Sequence, residues 1–132
     1  MKITADTNLL VRGASGDDPR QARSAAQALQ TAESIAIPIP ALCEFAWVMR
    51  RGYKRPAEEI AQSIRALLDA PNVVTNQPAA EAGLAVLEKG GDFADGAIAY
   101  EGNWLGGEEF VSFDRKAVAL VKALGIHTRL LS

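Results

Sequence analysis

Short apolar runs alternate along the chain with longer segments that carry apolar residues at helical spacing. The short runs have the length of β-strands, and Gly, Pro, Asn or Asp stands near most of their ends. They predict strands over residues 2–5, 35–40, 73–74, 110–113 and 127–131. Strands that alternate with helices favour a parallel sheet covered by helices on both faces, so the expected fold class is α/β.

The longer segments predict helices, and the Gly-rich and Pro-rich segments between them predict loops. A helix is expected to begin at Leu9, and others are expected over residues 20–32, 41–51, 57–69, 78–89, 93–100 and 115–124. Loops are expected over residues 12–20 and 103–109. The helix over 41–51 is apolar nearly all round, which predicts that it is buried. Gly125 is expected to end the last helix.

Composition and charge narrow the class of protein. The 132 residues predict one domain over residues 1–132. A net charge of −2 argues against a broad basic surface for nucleic acid, but it allows a local one. The only cysteine, Cys43, excludes an internal disulfide and fits a reducing compartment. No apolar run has the length of a signal segment or a membrane span, so we expect a cytoplasmic protein with no membrane partner.

Acidic residues stand at comparable places beside the predicted strands. Asp6 and Asp114 directly follow strands, Glu44 is expected in the first turn of the helix after the second strand, and Asp95 in the first turn of the helix before the fourth. Ligand sites in parallel sheets lie beyond the carboxyl ends of the strands, so we expect these acids to meet at one edge. Each acid alone is also compatible with a helix cap, and Asp92 is interpreted as the cap before Asp95.

Glu44 and Asp95 are harder to explain as caps because apolar residues surround both in sequence. An ionised carboxylate within a buried helix is costly unless it is paired or bound to metal. Gathered carboxylates need a cation, and oxygen ligands suit Mg²⁺ or Mn²⁺. One or two such ions activate water for in-line displacement at phosphorus. The residues therefore predict metal-dependent hydrolysis of phosphodiesters.

Four short motifs in this order resemble those of one known family. They are Asp6-Thr7-Asn8, Glu44 in an apolar helix, the segment FADGAIA at 93–99, and the segment SFDRKA at 112–117. Together they resemble the PIN-domain ribonucleases, and within these the chain is most similar to the small VapC-type toxins of bacterial type II toxin–antitoxin pairs. The resemblance covers essentially the whole chain. It implies a PIN-like three-layer α/β/α sandwich with a central, mainly parallel sheet of short strands.

The resemblance also implies a site that binds Mg²⁺ or Mn²⁺. By motif, the catalytic and metal-binding role carries over to Asp6, Glu44, Asp95 and Asp114. Asn8 and Ser112 match positions that orient the acids or their waters. Gly96 stands where the family more often has alanine, which is expected to loosen its helix.

The implied activity is endoribonuclease action as a toxin, with an RNA substrate, a cognate antitoxin and a homodimeric state. Two alternatives are a housekeeping PIN nuclease in RNA processing and a PIN-like module that binds RNA or protein without cleaving it. Arg12 and Arg115 lie near the acids in sequence and are candidates for substrate binding. Trp47 and Trp104 are interpreted as core or interface residues rather than as platforms for bases.

Overall fold

A computed structural model describes residues 1–132, which fall into two compact units, Met1–Asn76 and Gln77–Ser132. The chain forms seven helices and five short strands. Every paired strand runs parallel to its neighbour, which confirms the predicted α/β class. None of the helices combines the length and the apolar character that crossing a membrane requires.

The first unit contains a three-stranded parallel sheet and four helices. Its strands are β1 (Lys2–Thr4), β2 (Ser34–Ala36) and β3 (Val73–Val74), and they lie in that order. Its helices are α1 (Thr7–Ser15), α2 (Pro19–Thr31), α3 (Ile39–Arg51) and α4 (Ala57–Asp69). Ile3 pairs with Ile35, and Ile35 pairs with Val73. This register puts the buried side chains of Ile35 and Ile37 into an aliphatic core.

Prolines set several boundaries in this unit. β2 ends at Ala36, earlier than predicted, because Pro38 and Pro40 cannot donate to a strand ladder. Pro40 instead lies in the first turn of α3, where a missing amide hydrogen costs nothing. α4 begins directly after Pro56, and both of its ends agree with the prediction.

The prediction that α3 is buried all round is wrong. Leu42, Phe45 and Met49 are buried, but the opposite side of the helix carries Trp47 with 58% of its surface exposed. Glu44 lies on the same exposed side. The segment is predicted to be buried because most of its residues are apolar. The helix is nevertheless amphipathic, and one of its large apolar residues, Trp47, lies on the exposed side.

The predicted loop over residues 12–20 is wrong in its first part, because α1 continues to Ser15. Gly13 does not break the helix, since tertiary packing supports it: a Cβ there would lie 3.6 Å from the Leu29 side chain of α2. The helix ends at Gly16, whose φ of 67° is left-handed.

A polar cluster ties the loop after α1 to the turn after α3. Ser15 Oγ donates to Asp17 Oδ1 at 2.7 Å, and Tyr53 Oη donates to Asp17 Oδ2 at 2.8 Å. Arg12 Nη1 donates to the same carboxylate at 3.1 Å. These contacts, the Ser15 and Tyr53 hydrogen bonds foremost and then the Arg12 charge, hold the pKa of Asp17 below its ordinary value of 3.8.

This cluster predicts an acid-dependent contribution to stability. Because the folded state favours ionised Asp17, its contribution is present above the ordinary pKa of 3.8 and is lost as the pH falls through the lower folded value. Asp17→Asn should therefore destabilise the protein at pH 7, and the gap to the parent should close below pH 3.8. Urea unfolding at several pH values measures this. Asp69→Asn, at an exposed carboxylate outside the cluster, is the control, and a gap independent of pH would contradict the account.

The second unit contains three helices and a two-stranded parallel sheet. Its elements are α5 (Gln77–Glu88), α6 (Phe93–Trp104), β4 (Phe110–Ser112), α7 (Arg115–Lys122) and β5 (Thr128–Leu130). Phe110 pairs with Thr128. α6 runs through part of the predicted loop over 103–109. α7 ends before the predicted boundary, and the chain turns at Gly125, whose φ is 87°.

Two glycines allow α5 and α6 to pack closely. A Cβ on Gly96 would overlap the Ala82 carbonyl oxygen, and a Cβ on Gly83 would lie 2.6 Å from Cε2 of the buried Phe93 ring. Gly96 lies within the continuous helix α6, and the expectation that it loosens this helix stays a prediction. The missing side chain lets the backbones approach, and this packing fixes the turn that carries Asp95.

Replacing Gly96 with alanine should destabilise the protein by about 1–3 kcal/mol, because the added methyl group has no space. Gly102→Ala is a matched control in the same helix, since a Cβ there meets nothing within 4 Å. That control should stabilise the protein by about 0.5–1 kcal/mol through helix propensity. Urea unfolding of both variants measures the difference. Equal effects of the two substitutions would contradict close packing at Gly96.

Candidate metal centre

Asp6 is placed at the carboxyl end of the first sheet by two local features. The chain leaves β1 with the Ala5 amide still donating to the Ala36 carbonyl at 2.9 Å, and Asp6 then caps α1. Its Oδ1 accepts from the Leu9 amide at 3.0 Å. Asp6 is thus a helix cap through one of its oxygen atoms, as interpreted. This hydrogen bond orients the exposed carboxylate at the tip of the strand.

Glu44 is held beside Asp6 by the next residue in the chain. Thr7 Oγ1 donates to Glu44 Oε1 at 2.8 Å, which joins the start of α1 to α3. Glu44 lies in the second turn of α3 and not in the first as predicted, because the helix already begins at Ile39. Glu44 is exposed, so the argument that burial makes its charge costly is wrong for this residue. What distinguishes Glu44 is its fixed orientation next to a second carboxylate.

Asp114 occupies a position in the second unit like that of Asp6 in the first. It follows β4 and caps α7, with Oδ1 accepting from the Ala117 amide at 3.0 Å. The Asp114 amide donates to Ser112 Oγ at 3.0 Å, and a supporting role for Ser112 at the carboxylate stays a prediction.

Asp95 lies half-buried in the first turn of α6. Burial raises the pKa of its carboxyl above the ordinary 3.8, and the negative charges of Asp92 and Asp114 raise it further. A helix start favours a negative charge, so the upward direction means that burial and repulsion outweigh the helix dipole here. The second unit therefore places Asp92 and Asp114 close enough to Asp95 for their charges to act on its carboxyl.

Two residues of these groups have roles that the sequence did not indicate. Thr7 belongs to a quoted motif, but nothing in the sequence shows that its hydroxyl reaches Glu44, 37 positions away. Asp92 is the N-cap of α6 by position, as predicted, yet its side chain makes no capping hydrogen bond. Its charge acts on Asp95 instead.

The remaining candidates differ in their surroundings. Arg12 Nη1 contacts Asp17 at 3.1 Å and Tyr53 Oη at 3.4 Å, which gives it a structural role within the first unit. Arg115 is exposed in the first turn of α7, one residue after Asp114, and Asn8 is exposed in the first turn of α1. Substrate binding by the two arginines and a supporting role for Asn8 stay predictions.

The donor chemistry fits a hard divalent cation. All the donors in both acidic groups are oxygen atoms, the type that Mg²⁺ and Mn²⁺ prefer. The repulsion that raises the pKa of Asp95 is the kind that a bound cation relieves. The side chains as they stand do not form a finished site, since no three His, Cys, Asp or Glu residues are gathered closely enough to hold a metal ion.

Comparison with protein families decides what kind of domain carries these acids. The PIN-domain model matches residues 3–124, which includes Asp6, Glu44, Asp95 and Asp114. The chain belongs to the PIN-domain family. A search among curated proteins finds no match. PIN domains are generally nucleases that act on RNA, and they usually use divalent metals such as Mg²⁺.

Proposed function

We propose that this PIN domain is a metal-dependent endoribonuclease and that it acts as the toxin of a bacterial toxin–antitoxin pair. The observation that carries the nuclease part is the match of the PIN-domain model to residues 3–124, which includes all four candidate acids. The raised pKa of half-buried Asp95, caused first by burial and then by the charges of Asp92 and Asp114, supports it. A fold gains nothing in stability from placing Asp95 near Asp92 and Asp114. The proximity of these carboxylates is explained if their oxygen atoms bind a cation.

Asp6, Asp95 and Asp114 are proposed as the chief ligands of Mg²⁺ or Mn²⁺. When bound, the ion supplies an activated water and stabilises negative charge on the phosphodiester. Asp6 and Asp114 each commit Oδ1 to a helix cap, which fixes the carboxylate plane and leaves Oδ2 outside the cap. Both carboxylates are thus oriented before any ligand arrives.

Glu44 is proposed to bind the cation or to position the water. Its Oε1 accepts from Thr7, so Oε2 is left for that task. Thr7 is a positioning residue, because it acts through Glu44 and not on the substrate. A fixed carboxylate contributes more to hydrolysis than a freely rotating one, since its orientation is set before the reaction.

Substrate binding is proposed to involve exposed arginine near the acids. Arg115 stands one residue after Asp114, where its guanidinium can meet RNA phosphate. Arg12 is the second candidate, although Asp17 already holds it. Contacts of this type make RNA binding weaken as the salt concentration rises.

The toxin role rests on the similarity of the motifs to VapC-type proteins, which also implies a cognate antitoxin and a homodimer. Exposed large apolar residues in the second unit support a protein interface. They include Ile98, Leu105, Val111 and Phe113.

Expression in bacteria separates the toxin from its alternatives. The toxin should arrest growth when induced alone, Asp95→Asn should not, and co-expression of a small adjacent gene should restore growth. Cleavage without growth arrest would favour a housekeeping nuclease in RNA processing. RNA binding with no cleavage under any metal condition would favour the non-cleaving module.

A further inference from the structure

The exposed side of α3 carries functional groups in addition to Glu44, the acid that the proposed function uses. Four residues at helical spacing face solvent, namely Pro40, Glu44, Trp47 and Arg51. Three consecutive functional groups along this stripe are therefore a carboxylate, an indole and a guanidinium. The buried face of the same helix is wholly apolar, so core packing does not require Trp47.

Trp47 and Arg51 form a pair on this stripe. The Arg51 guanidinium lies over the indole ring, with its carbon 5.7 Å from the ring centroid. This is a cation–π distance, and the contact holds one of the largest side chains in place although 58% of its surface is exposed. The interpretation of Trp47 as a core residue is thus wrong. Trp47 and Arg51 thus form a flat surface with a positive charge beside Glu44.

We propose that Trp47, supported by Arg51, stacks against an RNA base next to the phosphodiester that is cut. This inference rests on the proposed function for the role of Glu44. Trp47 follows Glu44 by three residues, a rise of roughly 4.5 Å along the helix axis. A base stacked on the indole would hold its own phosphate close to the Glu44 carboxylate.

Charge favours RNA over a protein partner for this surface. Beyond Arg51, the chain continues into a turn that contains the exposed Lys54 and the half-buried Arg55, whose Nη1 lies 3.7 Å from Glu59 Oε2. Lys54 has a left-handed backbone with φ of 56°, and Tyr53 beside it donates to Asp17 Oδ2 at 2.8 Å, which ties the turn to the loop after α1. An aromatic platform followed by cations is the arrangement used for single-stranded nucleic acid.

Binding of a short fluorescein-labelled oligoribonucleotide of mixed sequence tests the proposal. Asp95→Asn serves as the parent, with Mg²⁺ present, so that binding is measured without cleavage. Trp47→Ala should weaken binding about 5- to 150-fold, the range for one stacked base, and Trp47→Phe should weaken it less. Trp104→Ala is the matched control, since Trp104 is 77% exposed but has no place on this stripe, and it should bind like the parent.

A second measurement does not depend on how Trp47→Ala folds. In the Trp104→Phe background, Trp47 is the only tryptophan, and its fluorescence should be quenched when the oligoribonucleotide is added. The same strand annealed to its complement should quench less, because paired bases are not free to stack.

The outcomes separate this inference from the proposed function. Unquenched Trp47 fluorescence, or equal affinity of Trp47→Ala and the parent, overturns the stacking role even if the wild-type protein cleaves RNA. A change of sedimenting mass in Trp47→Ala together with unchanged RNA affinity assigns the residue to a protein interface instead. Conversely, Trp47-dependent binding by a protein that cleaves nothing supports stacking while the nuclease proposal fails. A parent that binds no RNA overturns the stacking role, while cleavage by the wild-type protein tests the nuclease proposal separately.

Discussion

Replacing Asp95 with asparagine should reduce RNA cleavage by at least about 100-fold, since the substitution removes a charged oxygen from a proposed metal ligand rather than a supporting contact. The loss should appear in kcat at saturating RNA, and raising the Mg²⁺ or Mn²⁺ concentration should restore part of it. Single-turnover cleavage at several metal concentrations measures this. A variant with the parent's rate would show that Asp95 is not a ligand.

The same substitution should make the metal-free protein more stable at neutral pH. The pKa of Asp95 is raised in the folded state, so the cost of ionising it is fully present above that raised value and absent below the ordinary value of 3.8. Thermal unfolding in EDTA at pH 7 should therefore give a higher midpoint for Asp95→Asn. As the pH falls towards 3.8, the advantage should disappear.

Opposite changes in activity and stability would identify Asp95 as a functional residue. A merely structural carboxylate would lose stability when neutralised, because its favourable contacts would be lost. Asp69→Asn is the control for a general effect of removing a negative charge. If both variants gain the same stability, the effect comes from net charge and not from repulsion at Asp95.

Removing the Thr7 hydroxyl should lower cleavage by about 10- to 100-fold, the range for a group that orients a ligand. Thr7→Val keeps the shape of the side chain but breaks the 2.8 Å hydrogen bond to Glu44. Because Glu44 would still be present but free to rotate, the fall should lie in kcat more than in KM. Steady-state cleavage with a defined RNA separates the two constants.

Thr7→Ser restores the hydroxyl and should recover most of the lost activity. Thr31→Val is a matched control, since that hydroxyl bonds only to a backbone carbonyl of its own helix at 2.8 Å. It should leave kcat unchanged. If Thr7→Ser is as slow as Thr7→Val, the hydroxyl is not what positions Glu44.

The order of elements and the strand-end acids could be predicted because the relevant signals are local. Prolines at 38, 40 and 56 mark boundaries, and Asp6 and Asp114 sit where a strand passes into a helix. Cap geometry depends on three or four neighbouring residues, so both caps follow from the sequence. The family match adds the PIN fold class.

The features that the sequence did not reveal depend on contacts between distant residues. Gly13 continues a helix because α2 packs beside it, and Gly96 is required because α5 lies against α6. The exposure of Glu44 depends on which face of α3 packs inward, which composition alone does not give. The hydrogen bond from Thr7 is likewise a tertiary contact.

The most direct test of the central claim is cleavage of a circularised RNA pool of random sequence by the purified protein. Circles have no ends, so only an endonuclease can linearise them. We predict linear products with Mg²⁺ or Mn²⁺, none in EDTA, and far slower linearisation with Asp95→Asn. Linearisation that persists in EDTA, or that Asp95→Asn performs as fast as the parent, would contradict a metal-dependent endoribonuclease built on these acids.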